Sequence, residues 1–307
     1  MRKIYVVFIL MYLNSCFCYS QLPANIKEEF KESYAKHDYM GLTRPECMTL
    51  GKCEKLDTCI LRVTYQVTFV NDTSDRAHTS KDIQVLEVGK NVIHSYSAIL
   101  RSADSIATEM DKRGSNTIPC FNKYIIPEDI FVFIAKRQIE ERYRTNMSLS
   151  DFFFKEELSS INWNLINEHK NILGYNCQKA CCQYRGRKYI AWYTLDIPLR
   201  YGPYKFYDLP GLILQIYDSS NDYIWECISV QKGKPNDFIC RYPGKYRKVI
   251  EMTREKARKN LMLMHKDIGG YMRSVGKGII VSNSKGICYT PVAGDIPPEP
   301  YNPIEKE

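Results

Sequence analysis

The sequence predicts an α+β fold: a curved, mostly antiparallel β-sheet, open or half-barrel-like, with two or three packed helices. Three observations lead there. Short segments with alternating apolar and polar residues recur along the chain, joined by brief polar turns, and strands joined that way run antiparallel. Helical periodicity is confined to three stretches, so no β-α-β rhythm develops. The two halves show no internal repeat.

Residues 22–38 carry Leu22, Ile26, Phe30 and Tyr34 along one helical face, with charges between them. A loop rich in Gly, Pro and charge follows over 40–58. From Ile60 to Val70, Leu61, Val63, Tyr65, Val67 and Phe69 occupy one face of a strand. Residues 71–80 form a polar turn region, and Asp82–Val88 with Asn91–Tyr96 read as a hairpin about Gly89-Lys90. Ala98–Asp111 reads as an amphipathic helix. Short strands are expected at 120–126, 130–136 and 138–145, the last two also compatible with helix.

The second half is better defined. Trp163–Glu168, Ile172–Tyr184 and Arg187–Thr194 read as consecutive strands, with Arg185-Gly186 turning the last pair. Leu212–Tyr217 and Asp222–Ser229 follow, joined by Asp218-Ser-Ser-Asn221. A helix begins near Thr253, an N-cap residue, with Glu255 in its first turn. Ala257, Leu261, Met264 and Ile268 share a face, and Gly269-Gly270 is expected to stop it. The tail from Gly294 holds Pro297, Pro298, Pro300 and Pro303, so it is excluded from a central strand and expected on the surface or disordered.

Arg2 and Lys3 precede ten apolar residues, Ile4–Leu13, and Cys18-Tyr-Ser20 offers small residues before a cleavage point at Gln21. The run is too short to span a bilayer, so residues 1–20 read as a secretory signal peptide. Lipidation at Cys16, through a lipobox-like Leu13-Asn-Ser-Cys16, is the weaker alternative. The expected address is exported: periplasmic, attached to the outer membrane, or released. Residues 21–293 then form a single α+β domain with a cysteine-bearing extension over 21–58, followed by the tail 294–307. The hydrophobic share of 44% supports a packed core. The net charge of +8 is spread along the chain with no basic stripe interleaved with stacking aromatics, which argues against nucleic acid as partner.

Ten cysteines lie beyond the leader: Cys47, Cys53, Cys59, Cys120, Cys177, Cys181, Cys182, Cys227, Cys240 and Cys288. An even number in an exported chain reads as disulfides, and spacing leaves the pairing open. Metal binding by Cys47, Cys53 and Cys59, or by Cys177, Cys181 and Cys182, is disfavoured. On a strand Cys182 faces away from the other two of its group, and structural zinc sites come as paired, closely spaced clusters. No glycine-rich phosphate cradle and no haem-attachment motif is present, so no cofactor is expected.

The most distinctive segment runs Ala191-Trp-Tyr-Thr-Leu-Asp-Ile-Pro198 and Tyr201-Gly-Pro-Tyr-Lys-Phe-Tyr-Asp-Leu-Pro-Gly-Leu-Ile-Leu214. Pro210-Gly211 predicts a type II turn with positive φ at the glycine. Trp192, Tyr201, Gly202, Pro203, Tyr204, Leu209, Pro210, Gly211 and Leu212 are the candidate lip of a ligand cavity. With Trp163-Asn-Leu165, Ile172-Leu-Gly-Tyr-Asn-Cys177, Gly186-Arg187 and the terminal Tyr301-Asn-Pro-Ile-Glu305, this segment resembles the signature of the GLPGLI family. Its members are exported proteins of certain Gram-negative bacteria with no assigned activity. Asp208 stands where that pattern has glycine.

The resemblance and the aromatic-rich sheet imply a non-catalytic binding or carrier-like protein for an apolar ligand, such as a lipid, or for a peptide. A disulfide-stabilised surface or assembly component working with other envelope proteins is the alternative. A hydrolase-type enzyme using Glu168, His169 and Asp196 near Arg187 or Lys188 is a third reading, weakened because Glu168 and His169 face apart on a strand. Asp104-Ser-Ile106 resembles a short glycosylation sequon, against the plainer reading that it decorates a helix surface.

Overall fold

The computed structural model describes residues 5–7, 44–115, 124–146, 149–277, 280–282, 288–289 and 296–307. The signal-peptide and helix expectations over 1–43 lie outside these residues, apart from a strand β1 (Tyr5–Val7). The chain divides into two compact units, Arg44–Arg254 with Asn302–Glu307, and Met1–Thr43 with Glu255–Tyr301.

The first of these is built on a twelve-stranded sheet. Its strands are β3 (Leu61–Phe69), β4 (Ser80–Val88), β5 (Val92–Ser97), β6 (Glu128–Phe133), β7 (Gln138–Tyr143), β8 (Asp151–Glu157), β9 (Asn164–Ile172), β10 (Tyr175–Tyr184), β11 (Arg187–Thr194), β12 (Leu212–Asp218), β13 (Tyr223–Lys232) and β15 (Val249–Glu251). Their order is β15-β8-β7-β6-β5-β4-β3-β13-β12-β11-β10-β9. Two meanders, β3 to β8 and β9 to β13, are welded by the antiparallel β3–β13 pair. Among the described strands only β15 pairs parallel, and β9 and β15 are the edges of the sheet, which is open.

Alternation decides which face is buried. Val63, Tyr65 and Val67 are fully enclosed, with Leu61 and Phe69 beside them, as their period-two spacing requires. They join Ala180, Ala191, Ile216 and Trp225 in one apolar cluster. Helix α1 (Ala98–Lys112) follows β5 directly, its N-terminus capped by the Ser97 hydroxyl, which accepts from Leu100 N at 3.1 Å.

Several local expectations are corrected. β10 does not begin at Ile172: Leu173 (φ 53) and Gly174 (φ 87) make a left-handed hairpin turn, like that of Arg185-Gly186, and split the run in two. Residues 124–127 are not strand, whereas β8 and β15 arise where no strand was expected. β8 carries Phe152 and Phe154, both buried.

In the second unit, α2 (Arg254–Lys266) ends before the glycines. Asp267 then caps a further helix, α3 (Ile268–Ser274), by accepting from Gly270 N at 2.9 Å. A Cβ on Gly270 would lie 2.3 Å from the Asp267 carboxylate, so the glycine admits the cap and does not stop the helix. β1 pairs with β16 (Ile280–Ser282), which pairs with β17 (Cys288–Tyr289). No described helix is long and apolar enough to cross a membrane.

Among the described residues one disulfide is formed, Cys53–Cys240, beside the two-stranded pairing of β2 (Glu54–Thr58) with β14 (Phe238–Arg241). Cys59, Cys177, Cys181, Cys182 and Cys227 are free thiols, which corrects the expectation that each would pair. Strand geometry separates Cys181 from Cys182, and burial pushes the Cys59, Cys177 and Cys227 thiols up to about 11 and Cys182 up to about 12, which leaves them inert. Cys47 is buried; Cys120 and the side chain of Cys288 lie outside the described residues. The last residues do not wander over a surface: Ile304 and Glu305 are only 4% and 2% exposed.

Candidate functional site

The β11–β12 connection folds into the core. Tyr204 (φ 58) and Asp208 (φ 76) take left-handed conformations, and between them Phe206 and Tyr207 turn inward. Tyr204, Phe206, Tyr207 and Leu209 are all buried. Phe206 meets Tyr189 and Trp225 edge-on, at centroid distances of 4.6 and 5.7 Å. Gly202, Pro203, Gly211 and Leu212 are buried, Tyr201 is half-buried, and only Pro210 is exposed. Most of these residues therefore pack into the sheet as a plug. Gly211 does not have positive φ, which corrects the type II turn. Glycine is required there because a Cβ would lie 1.9 Å from the Thr194 carbonyl oxygen.

Sequence reasoning missed Lys205, which sits inside this plug with its side chain wholly buried. Its Nζ lies 2.5 Å from Glu141 Oε2, 2.5 Å from Glu156 Oε1 and 2.7 Å from Glu305 Oε1. Arg185 also binds Glu156 (2.7 Å) and Arg254 binds Glu305 (2.6 Å), so three cations balance three carboxylates. The three carboxylates lie close enough to hold a hard divalent cation. The ammonium of Lys205 occupies that position, and the cluster acts as a lock between β7, β8, the plug and the chain end. The only hint in sequence was a lysine flanked by Tyr204 and Phe206.

A second row of side chains carries a different chemistry, and its Trp192 also borders the main apolar cluster. Directly opposed pairs align Lys179, Trp192, Gln215, Glu226 and Gln66 in one row across β10, β11, β12, β13 and β3. Lys170 Nζ sits 4.3 Å and Lys179 Nζ 5.8 Å from the Trp192 ring centroid. Lys170 donates to Gln215 Oε1, Gln215 Nε2 donates to Glu226 Oε1 at 3.1 Å, and Lys179 pairs with Glu168 at 2.8 Å. Burial pulls the Lys170 ammonium below its usual range, against the opposing pull of Cys177 and Glu226. Trp192 is 8% exposed, and its indole N–H is buried without a hydrogen-bond partner. Ring, amide, carboxylate and ammonium in one line form a surface suited to a polar, hydroxyl- or amide-rich ligand.

The remaining candidates are not brought together. His169 is exposed, Glu168 is engaged with Lys179, and buried Arg187 holds Asp218 and Asp222 at 3.0 Å each. Asp104 does not decorate a surface: it is buried, accepting from Arg144 and from Met48 N. His94 is one of the five histidines scattered along the sequence. It lies buried between Glu87 (3.3 Å) and Asp129 (2.6 Å) and stacks on Phe131.

Comparison with known proteins places these features in a family. No curated protein matches the sequence. Among solved structures, PNGF-II in its C2 and P21 crystal forms is similar, at 17% and 16% identity and a TM-score of 0.43 in both cases. The matches cover 66% and 68% of this chain but 33% and 34% of those structures, so the chain spans about a third of their length. A family model described as "N-glycanase peptide, N-terminal domain" matches residues 89–254, from the turn before β5 to the end of the sheet. That is more than half of the chain, and the chain belongs to this family of N-glycanase N-terminal domains.

Proposed function

We propose that this protein is an exported, non-catalytic binding module that lies on glycan-bearing polypeptide through the outer sheet face around Trp192. The observation that carries this reading is the Lys179–Trp192–Gln215–Glu226 row, which offers an aromatic ring beside planar amide and carboxylate groups. Such a set suits sugar hydroxyls and peptide amides. The N-glycanase named in the family's description supports glycosylated polypeptide as the ligand class. The plug fills the interior, so an apolar cargo would have to displace Tyr204 and Phe206, which favours the outer face. The Cys53–Cys240 bridge supports an oxidising compartment. Asp208 supports the GLPGLI likeness, since its left-handed backbone suits the glycine that pattern carries.

The test is binding of immobilised glycoprotein before and after enzymatic removal of its glycans. Wild type is expected to be retained by the glycosylated form. Trp192→Ala and the less buried Gln215→Ala are each expected to weaken retention about tenfold, matching a loss of roughly 1–2 kcal/mol of contact. Equal retention of both substrates, or unchanged binding by variants whose circular dichroism matches wild type, would rule out this face. N-terminal sequencing of the protein from its host checks export, with Gln21 as the expected first residue.

A further inference from the structure

The segment Asn302–Glu307 lies in the sheet unit as a peptide lies in a receptor. Tyr223 Oη donates to the Asn302 carbonyl at 2.5 Å, Arg187 Nη2 to the Pro303 carbonyl at 2.6 Å, and Tyr189 Oη to the Ile304 carbonyl at 3.1 Å. Asn302 Oδ1 accepts from Arg187 Nη2 at 2.6 Å, while its Nδ2 donates to the Val70 carbonyl at 2.7 Å. Ile304 enters the main apolar cluster. Glu305 accepts from Lys205 (2.7 Å), Tyr204 (2.8 Å) and Arg254 (2.6 Å). Pro303, which has no N–H, sits where only its carbonyl is used.

Most of these groups are side chains held by the sheet itself. Arg187 is fixed by Asp218 and Asp222, Lys205 by Glu141 and Glu156, and the Tyr223 ring stacks 5.6 Å from that of Trp225. The two buried cations therefore keep carboxylate partners when the segment leaves. A pre-ordered receptor of this kind binds without first having to order itself.

We propose that this groove is a peptide-recognition site for an extended Asn-Pro-aliphatic-Glu sequence, filled here by the chain's own residues 302–307 and able to accept the same sequence from another polypeptide. This is independent of the outer face around Trp192. The test uses the full chain carrying Asn302→Ala with Glu305→Ala, and a fluorescent peptide of the sequence Tyr301–Glu307. Saturable binding to the doubly substituted chain is expected. Wild type, whose own tail competes at a millimolar-scale effective concentration, should bind the peptide far more weakly. A peptide bearing Glu305→Ala should bind about 30-fold or more weakly, as expected when a buried charge pair loses one member.

Absence of saturable binding to a variant that melts like wild type overturns the proposal, as does equal binding of the Glu305→Ala peptide. Should the double variant not fold, a protease site is inserted at Gly294 of the otherwise wild-type chain and cut. The proposal then expects the released tail to stay bound and to be chased off by unlabelled peptide. A tail that falls away on cutting, or never exchanges, overturns it.

Discussion

Gly211 and Asp208 show how single residues set the course of the plug. At Gly211 the constraint is space: any Cβ meets the Thr194 carbonyl at 1.9 Å, and that carbonyl belongs to β11 and cannot retreat. Gly211→Ala is expected to cost about 3 kcal/mol or more, read as a fall in the urea midpoint. At Asp208 the constraint is conformational, and the side chain partly offsets it by accepting from Ile161 N at 3.1 Å. Replacing it with glycine relieves about 1 kcal/mol of left-handed strain and loses one hydrogen bond of similar worth, so Asp208→Gly should stay within about 1 kcal/mol of wild type. Both positions were visible as a proline-glycine signature. Which physical reason applied to which residue was not visible, because the deciding partners, Thr194 for Gly211 and Ile161 for Asp208, are far off in sequence.

Within elements, β6 carries a group that burial makes sensitive to pH. Desolvation, then the nearby Glu141, pushes the Glu128 carboxyl from 4.5 up to about 8, and its Oε2 has no hydrogen-bond partner. The folded chain therefore keeps a proton that the unfolded chain has lost, and this contribution to stability is lost as pH rises between about 4.5 and 8. Glu128→Gln is expected to raise the urea midpoint at pH 8, leave it unchanged near pH 4, and flatten the slope between. An unchanged slope would show that Glu128 is solvated. The alternation in β3 and the hairpin β4–β5 were legible because their patterns are local and strict. Leu173-Gly174 was not, because leucine is an unusual residue for a left-handed turn and the pairing of β9 with β10 imposes it.

Across the sheet unit, the Lys205 cluster gathers groups separated by up to 164 positions, from Glu141 on β7 to Glu305 near the chain end. Removing the cation would leave three buried carboxylates with only two arginines. Lys205→Met should therefore cost about 3–5 kcal/mol of unfolding free energy, measured by chemical denaturation at pH 7. A loss below about 1 kcal/mol would mean that water enters the cluster. The outer row around Trp192 has the same long-range origin: its members come from five strands and meet only through register. Trp192 was singled out from sequence for its place in the signature, whereas Gln215 and Glu226 carried no local mark.

By itself the sequence determined the class of the fold, the inward faces of the strands, most turns in the second half and the placement of α1, because each follows from a period of two or 3.6 read within a few residues. Tertiary structure alone decided that the signature loop enters the core, that five thiols stay unpaired, that a proline-bearing tail becomes a buried strap, and that one lysine meets three glutamates. Those outcomes turn on burial and charge balance between segments far apart in the chain. Such distances exist only once the sheet has closed its register.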